Sequence, residues 1–234
     1  MDLAAVAALI ADSSRAAMLD ALSGGEGLTA GELARVARIA PSTATEHLAR
    51  LEDGGLVISV RQGRARYVRL AGPDVARALE ALAVIAPAKR PNGLRAWRHG
   101  EDLRVARSCY DHLAGMAGVA LADALVEREL LEPGDGAFAI TPAGERELTG
   151  FGIDLAAVRR ARRVTARACL DWSERRPHVA GALGAALLSE LLDRRWLRRR
   201  SDGRALTLTP AGAAGLASTF GVTLATIGTN STSR

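Results

Sequence analysis

The stretch that decides the fold is Leu28–Leu70, LTAGELARVARIAPSTATEHLARLEDGGLVISVRQGRARYVRL. Its first part predicts a helix, because Thr29 and Glu32 have the spacing of a capping box and an apolar stripe at helical spacing follows. A second helix is predicted from Pro41 to about Glu52, since proline suits a first helical position, where its missing N–H has no partner.

A two-stranded hairpin is predicted after the second helix. Gly54-Gly55 ends that helix, and the runs Val57–Val60 and Ala65–Leu70 favour strands joined by the four residues 61–64. The predicted order is therefore helix, turn, helix and hairpin.

The exposed side of the second helix is rich in short hydrogen-bonding residues near its start. Such a helix start suits insertion into the major groove of DNA. The predicted hairpin, called the wing below, carries Arg61, Arg64, Arg66 and Arg69 with no acidic residue between them. This clustering favours contact with phosphates over a merely solvated face. The predicted DNA-binding residues are Pro41, Ser42, Thr43, Thr45, Glu46, His47, Arg61, Arg64 and Arg66.

This stretch resembles the winged helix-turn-helix of the ArsR/SmtB family of bacterial repressors. The resemblance covers roughly residues 3 to 84, including the family-like opening Ile10–Leu22, although Ala40 stands where the family's recognition helix usually opens with serine. It implies a homodimer whose interface is formed by the helices Leu3–Ile10 and Pro73–Ile85. A two-fold dimer would read an inverted repeat of double-stranded DNA with recognition helices about one turn apart.

Two metal sites used within the family lack their ligands in this chain. The first helix of the helix-turn-helix, GELARVARI, has no cysteine, and the closing helix, PDVARALEALAVI, has no histidine. Both family metal sites are therefore lost, no cofactor is predicted and no metal ligand is assigned, and any sensing is expected in the second half of the chain.

An internal repeat occupies that second half. Matched segments predict the order helix, helix, hairpin, helix in each copy, which we interpret as two winged-helix-like modules. The matches pair Arg107–Asp111 with Arg167–Asp171, His112–Gly118 with His178–Gly184, Asp135-Gly136 with Asp202-Gly203, Thr141–Gly144 with Thr209–Gly212, and Phe151-Gly152 with Phe220-Gly221.

The predicted fold class is mainly α with small β-hairpins (α+β). The predicted domains are a winged helix-turn-helix at 1–85, a linker at 86–100, repeat modules at 101–154 and 155–227, and a disordered tail at 228–234. The linker is inferred from its prolines, glycine and basic residues. Trp97 within it is expected to dock on the second domain.

The repeat also contains the candidate effector or redox residues. Cys109 and His112 are three apart and would share a face of the predicted helix. Three interpretations are open: buried core cysteines, a site for a metal such as zinc, or a thiol-based redox response. The candidates are Cys109, Tyr110, Asp111, His112, Cys169, Asp171, Trp172 and His178.

Composition agrees with a nucleic-acid-binding protein. The net charge is +5 and the pI is about 10.1, which favours a polyanionic partner, although an arginine bias with Lys89 as the lone lysine is also typical of a GC-rich genome. No apolar run of about 18 residues predicts a membrane span, and no signal peptide is recognised. A cytoplasmic location is expected.

The sequence therefore predicts a DNA-binding transcriptional regulator, a dimeric repressor that responds to a small molecule or a redox signal through its second half. One alternative is a DNA-binding protein without an effector, whose second half serves assembly. Another is an enzyme domain fused to a DNA-binding region, but no hydrolase elbow, P-loop, HExxH or dinucleotide motif supports an enzyme.

Overall fold

The computed structural model of the protein describes residues 2–87, 94–200 and 203–224, apart from the side chains of residues 94–99. The chain divides into two compact units. The first unit is the chain up to residue 103 together with two short later segments, 107–111 and 200–205, and the second contains the remainder. Among the helices described, none has the length and apolar character needed to cross a membrane.

The first unit contains the predicted helix, turn, helix and hairpin, and the predicted mixture of helices with small hairpins is confirmed. Its elements are α1 (Leu3–Ile10), α2 (Ser13–Leu22), β1 (Leu28–Thr29), α3 (Ala30–Ala37), α4 (Pro41–Asp53), β2 (Val57–Gln62), β3 (Ala65–Leu70) and α5 (Pro73–Ile85), followed by α6 (Leu94–Val105).

The capping box fixes the start of α3. The Thr29 hydroxyl accepts a hydrogen bond from the Glu32 amide at 3.3 Å, and the Glu32 carboxylate accepts one from the Thr29 amide at 2.8 Å. The Thr29 amide, and then its hydroxyl, hold the pKa of Glu32 below its ordinary value. Backbone amides at a helix start lack partners within the helix. The hydrogen bonds to the Thr29 and Glu32 amides therefore stabilise the start of the helix-turn-helix.

The wing is longer than predicted. β3 lies between β1 and β2 in an antiparallel sheet, with Val57 opposite Leu70. The strands continue until only Gly63 and Arg64 connect them, where a four-residue connection was predicted. Gly63 has φ 60°, a conformation that glycine adopts readily in a two-residue hairpin turn.

The core of the first unit lies where α2, α3, α4 and the wing meet. Its leucines are almost completely buried, and each contributes on the order of 1.5–3 kcal/mol of apolar transfer free energy. Its main members are Met18, Leu19, Leu22, Leu33, Leu48, Leu51, Val57, Val68 and Leu70.

The second half of the chain repeats one element order: hairpin, helix, hairpin, helix. The first copy has β4 (Arg107–Cys109), β5 (His112–Ala114), α7 (Met116–Glu127), β6 (Leu131–Pro133), β7 (Phe138–Ile140) and α8 (Pro142–Phe151), followed by α9 (Leu155–Arg160). The second copy has β8 (Arg167–Leu170), β9 (Pro177–Ala180), α10 (Gly181–Asp193), β10 (Leu197–Arg199), β11 (Leu206–Leu208) and α11 (Pro210–Phe220).

The prediction that each copy starts with a helix is wrong. Cys109 and His112 lie on the two strands of a hairpin, not on one helix face. Tyr110, in the turn between them, has φ 61°, and Arg175 in the corresponding turn has φ 54°. Left-handed residues interrupt a helix but close a tight turn, so these short segments pair as strands.

The predicted linker also differs from the structure. α6 starts at Leu94, inside the segment predicted as linker, and continues to Val105. The run Leu94–Glu101 contains no proline and one glycine, so the prolines that suggested a linker end before the helix begins. Residues 88–93, the Trp97 side chain, Asp202 and the tail 228–234 lie outside the described residues.

Matched positions in the two copies have the same local geometry. Thr141 accepts the Gly144 amide at 2.9 Å, and Thr209 accepts the Gly212 amide at 2.9 Å. A Cβ at either glycine would lie 2.0 Å from a backbone carbonyl oxygen, so each helix start requires glycine for close packing. The description of each copy as a winged-helix-like module stays a prediction.

Candidate functional site

The start of α4 has one polar face and one buried face. Pro41, Ser42, Thr45 and Glu46 are exposed, and Thr43 is half-buried. The opposite side packs into the core through Ala44, Leu48 and Leu51. The period of 3.6 residues per turn separates these two faces, so the helix presents short polar side chains to solvent.

The N-terminal end of α4 has no side-chain cap. Its N-cap residue is Ala40, which offers no hydrogen-bonding side chain, and Pro41 occupies the first turn. The Thr45 hydroxyl donates to the Pro41 carbonyl at 3.0 Å. The amide groups of the first turn at this exposed end are therefore suited to an anionic oxygen, because the helix dipole also favours negative charge there.

His47, also predicted to contact DNA, is half-buried beside this exposed face, and its contact with DNA stays a prediction. Its side chain is only 16% exposed, and its Nδ1 lies 3.3 Å from Nη1 of the buried Arg15. Since arginine can only donate, Nδ1 acts as the acceptor. Arg15 also donates to the carbonyls of Ala8 and Leu9, so His47 helps to hold the end of α1.

The wing carries a cross-strand pair of arginines. Arg61 lies directly opposite Arg66 in the β2–β3 register, and Arg64 is exposed in the turn. Arg66 donates to Glu52 at 2.8 Å, and that carboxylate also accepts the Ser59 amide and hydroxyl at 3.1 Å. Like charges directly opposite each other destabilise a hairpin, and Glu52 balances only one of them.

A second cluster contains three of the candidate effector residues. In the second unit, the thiol of Cys169 and one ring nitrogen each of His112 and His178 lie within 4.8 Å of one another. All three side chains are buried, and Cys109 is buried in the first unit. Within the second unit, Cys169 is the register partner of His178, and the two histidine rings are stacked with centroids 5.0 Å apart.

Asp171 holds the turn of the second hairpin and faces the cluster. Its carboxylate accepts the Gly115 amide at 2.6 Å, the Ser173 amide at 2.9 Å and the Glu174 amide at 3.1 Å. Its Oδ2 also lies 3.5 Å from His178 Nδ1. This distance is too long for a good hydrogen bond, and Nδ1 makes none with the described residues.

The remaining candidates lie in different settings. Tyr110 packs against the core of the first unit, and its amide donates to the Ser23 carbonyl at 2.6 Å. Asp111 and Trp172 are half-buried in the turns of their hairpins. Trp196 packs against Phe151 with ring centroids 5.5 Å apart.

A buried ion-pair cluster was not predicted from the sequence. Arg204 is buried and donates to Glu80 on α5 and, at 2.9 Å, to Asp20 on α2. Burial acts to lower the pKa of Arg204, but the carboxylates of Asp20 and Glu80 outweigh it and raise the pKa above its ordinary value. Only contacts between residues distant in sequence reveal this cluster, so no local signal identified it.

Comparison with known proteins identifies the family. Residues 10–60 match a helix-turn-helix domain family. The chain is 42% identical over 211 residues to a curated Bacillus subtilis protein described as an uncharacterized HTH-type transcriptional regulator, YdfF, and the match covers 90% of this chain and 93% of that protein. The chain therefore belongs to the HTH-type transcriptional regulators, as its sequence predicted.

Solved structures resemble part of the chain. A homodimeric winged helix-turn-helix domain from Mycobacterium bovis, described as a possible ArsR-family regulator, is 32% identical, with 36% of this chain and 77% of that chain covered and a TM-score of 0.34. The cadmium sensor CMTR from Mycobacterium tuberculosis is 30% identical, with 39% and 96% covered and a TM-score of 0.33.

Proposed function

We propose that the protein is a dimeric repressor that binds double-stranded DNA through α4 and the wing and is controlled through the second half of its chain. The observation that carries the DNA interface is the Arg61–Arg66 pair on an exposed wing. Repulsion between these like charges disfavours the free hairpin, and backbone phosphates would relieve it. A cytoplasmic location stays a prediction.

The proposed docking places the start of α4 in the major groove. Ser42, Thr43 and Thr45 then lie at bases or adjacent phosphates, with Pro41 and Glu46 at the edge of the contact. Arg61, Arg64 and Arg66 contact the DNA backbone. The support is the exposed polar face of α4, its uncapped N-terminal end and the charge of the neighbouring wing.

Recognition of the DNA base sequence by α4 is tested with Thr45→Ala. Losing a base-edge contact costs about 1–3 kcal/mol of discrimination, so the variant should narrow the gap in affinity between a selected operator and a random duplex. Thr149→Ala, at an exposed threonine of α8, is the matched control and should leave the gap unchanged. Equal operator preference in both variants and the wild type would remove Thr45 from the reading surface.

The proposed dimer uses α1 and α5. No residue of α1 is buried, and Leu3 is 79% exposed. On α5, Leu82 and Ile85 are 43% and 78% exposed. Large apolar side chains gathered on two helices favour an interface, since their burial between protomers removes apolar surface from water.

The dimer is tested by sedimentation of Leu82→Glu. A buried unpaired carboxylate is costly, so this variant should dissociate at micromolar concentrations at which the wild type is dimeric. Val164→Glu, at another exposed apolar residue, should sediment like the wild type. A wild-type monomer at micromolar concentration, with and without DNA, refutes the dimer.

Hydrogen bonds inside the first unit connect the segment around Cys109 to α2 and α5, so this segment can affect DNA binding and dimerisation. Ser108 donates to the Arg204 carbonyl at 2.9 Å, and Tyr110 donates to the Ser23 carbonyl at the end of α2 at 2.6 Å. Arg204 in turn pairs with Glu80 on α5. Cys109 lies between Ser108 and Tyr110, so a change at its thiol would reach the helices that support DNA binding and dimerisation.

Control is tested by measuring DNA affinity across oxidants, metal ions and a metabolite panel. A typical coupling between effector and DNA is about 1–3 kcal/mol, or roughly 5-fold to 150-fold in affinity. Cys109→Ser and Cys169→Ser should abolish a redox response and spare the response to an organic effector. If nothing in the panel changes DNA affinity, the second half serves assembly without an effector.

A further inference from the structure

Three polar side chains lie together inside the core of the second unit. His112 is on β5, Cys169 on β8 and His178 on β9, and one candidate ligand atom from each lies within 4.8 Å of the other two. None of the three is more than 8% exposed. The residues after the two histidines, Leu113 and Val179, belong to the hydrophobic core. Because polar groups are costly to bury among apolar side chains, two imidazoles and a thiol at this position require compensating interactions.

The distances between these atoms fit the ligands of one metal ion. His112 Nε2 lies 3.1 Å from His178 Nε2, and metal–nitrogen bonds of about 2.05 Å at a tetrahedral ion place two imidazole nitrogens about 3.3 Å apart. The Cys169 thiol is no more than 4.8 Å from a ring nitrogen of each histidine, whereas a metal–sulfur bond of about 2.3 Å sets this distance at about 3.6 Å. A side-chain rotation that moves the thiol by about 1 Å closes the difference.

Asp171 places a carboxylate beside the outer nitrogen of His178. When Nε2 of a neutral imidazole coordinates an ion, the proton is on Nδ1. Asp171 Oδ2 lies 3.5 Å from this Nδ1, and both side chains are completely buried. The amides of Gly115, Ser173 and Glu174 hold the carboxylate in place. A movement of the ring by about 0.5 Å gives the hydrogen bond to a carboxylate that metal-bound histidines usually make.

We propose that His112, Cys169 and His178 bind one Zn²⁺ ion, or a similar borderline divalent transition-metal ion, within the second unit. A thiolate and two imidazoles are ligands that zinc favours, and they leave one position of a tetrahedral ion for a further ligand. Asp171 is a positioning residue that orients the His178 ring. The bound ion joins β5, β8 and β9, so it stabilises the folded second unit. The site differs from the family positions in α3 and α5, which lack cysteine and histidine respectively.

The test is metal binding by the reduced full-length protein without a histidine tag. Native mass spectrometry after addition of Zn²⁺ should show one ion per chain. Co²⁺ should produce the ligand-field bands of a tetrahedral ion together with a thiolate-to-cobalt charge-transfer band. Cys169→Ser should remove the charge-transfer intensity of its thiolate and weaken zinc binding. Asp171→Asn should lower the zinc affinity about 10–100-fold and keep the charge-transfer band, because the thiolate ligand is unchanged.

The matched control is His47→Gln, at a half-buried histidine of the first unit, which should take up one ion like the wild type. Circular dichroism of each metal-free variant shows whether it is folded. As a second measurement on the wild type, a chelator should lower the melting temperature of the zinc-loaded protein and added Zn²⁺ should restore it. No zinc uptake by the folded wild type, or a charge-transfer band and a zinc affinity in Cys169→Ser equal to those of the wild type, overturns the site. None of these readouts involves DNA, so their outcome is independent of the proposed DNA binding.

Discussion

Replacing Arg64 by alanine should reduce the salt dependence of DNA binding. Arg64 is exposed in the two-residue turn of the wing, where the proposed contact with a phosphate would release counterions. Each such contact changes the slope of log K against log salt by about 0.9. At about 0.15 M salt, one lost contact therefore weakens binding about fivefold. A two-fold dimer loses two contacts, which gives about 30-fold and a slope change of about 1.8.

The structure also predicts which wing arginine contributes more to DNA affinity. Arg66 is engaged by Glu52 at 2.8 Å, so its charge is partly balanced before DNA arrives. Arg66→Ala should therefore lower the affinity less than Arg64→Ala does. Exposed ion pairs are individually weak, typically about 0–1 kcal/mol, so the difference between the two variants should stay within about one factor of five.

Fluorescence anisotropy with a labelled duplex at four or more salt concentrations measures both the DNA affinity and its salt dependence. A random duplex is sufficient, because phosphate contacts do not depend on base sequence. Arg146→Ala, at an exposed arginine of α8, is the control with the same change in charge. If Arg64→Ala and Arg146→Ala give the same slope as the wild type, the wing does not touch the phosphates and the docking is wrong.

Two further variants test the stability of the first unit. Thr29→Ala removes the cap of α3 and should lower the free energy of unfolding by about 1 kcal/mol, measured by urea titration; an unchanged midpoint would mean that the capping box is not needed. The pKa of Glu32 is lowered in the fold from 4.5, so its stabilisation is present above that value and is lost as the pH falls through the folded pKa. The stability difference between the wild type and Glu32→Gln should accordingly be larger at pH 7 than at pH 3. Arg204→Met leaves Glu80 buried without its cation and should cost about 3–5 kcal/mol, whereas adding Glu80→Leu should recover much of the loss; equal losses in the single and double variants would contradict a buried ion pair.

The sequence by itself determined the elements whose signals are local. Thr29 and Glu32 form the capping box that their spacing predicted, and Pro41 opens α4 as expected for a first helical residue. Buried and exposed sides of α4 alternate with the period of the helix, which identified its exposed polar residues. These features depend on hydrogen bonds and side-chain directions within a few residues, and neighbouring residues specify them.

Tertiary structure decided the features that depend on distant partners. Each segment around Cys109 or Cys169 was too short to distinguish a helix from a hairpin, and pairing with a second strand settled it. His47 lies in the helix beside exposed residues, yet Arg15 of another helix engages its ring. Arg204 meets Glu80 across 124 residues of sequence. A spacing pattern contains no information about such partners, because packing between elements selects them only when the chain folds.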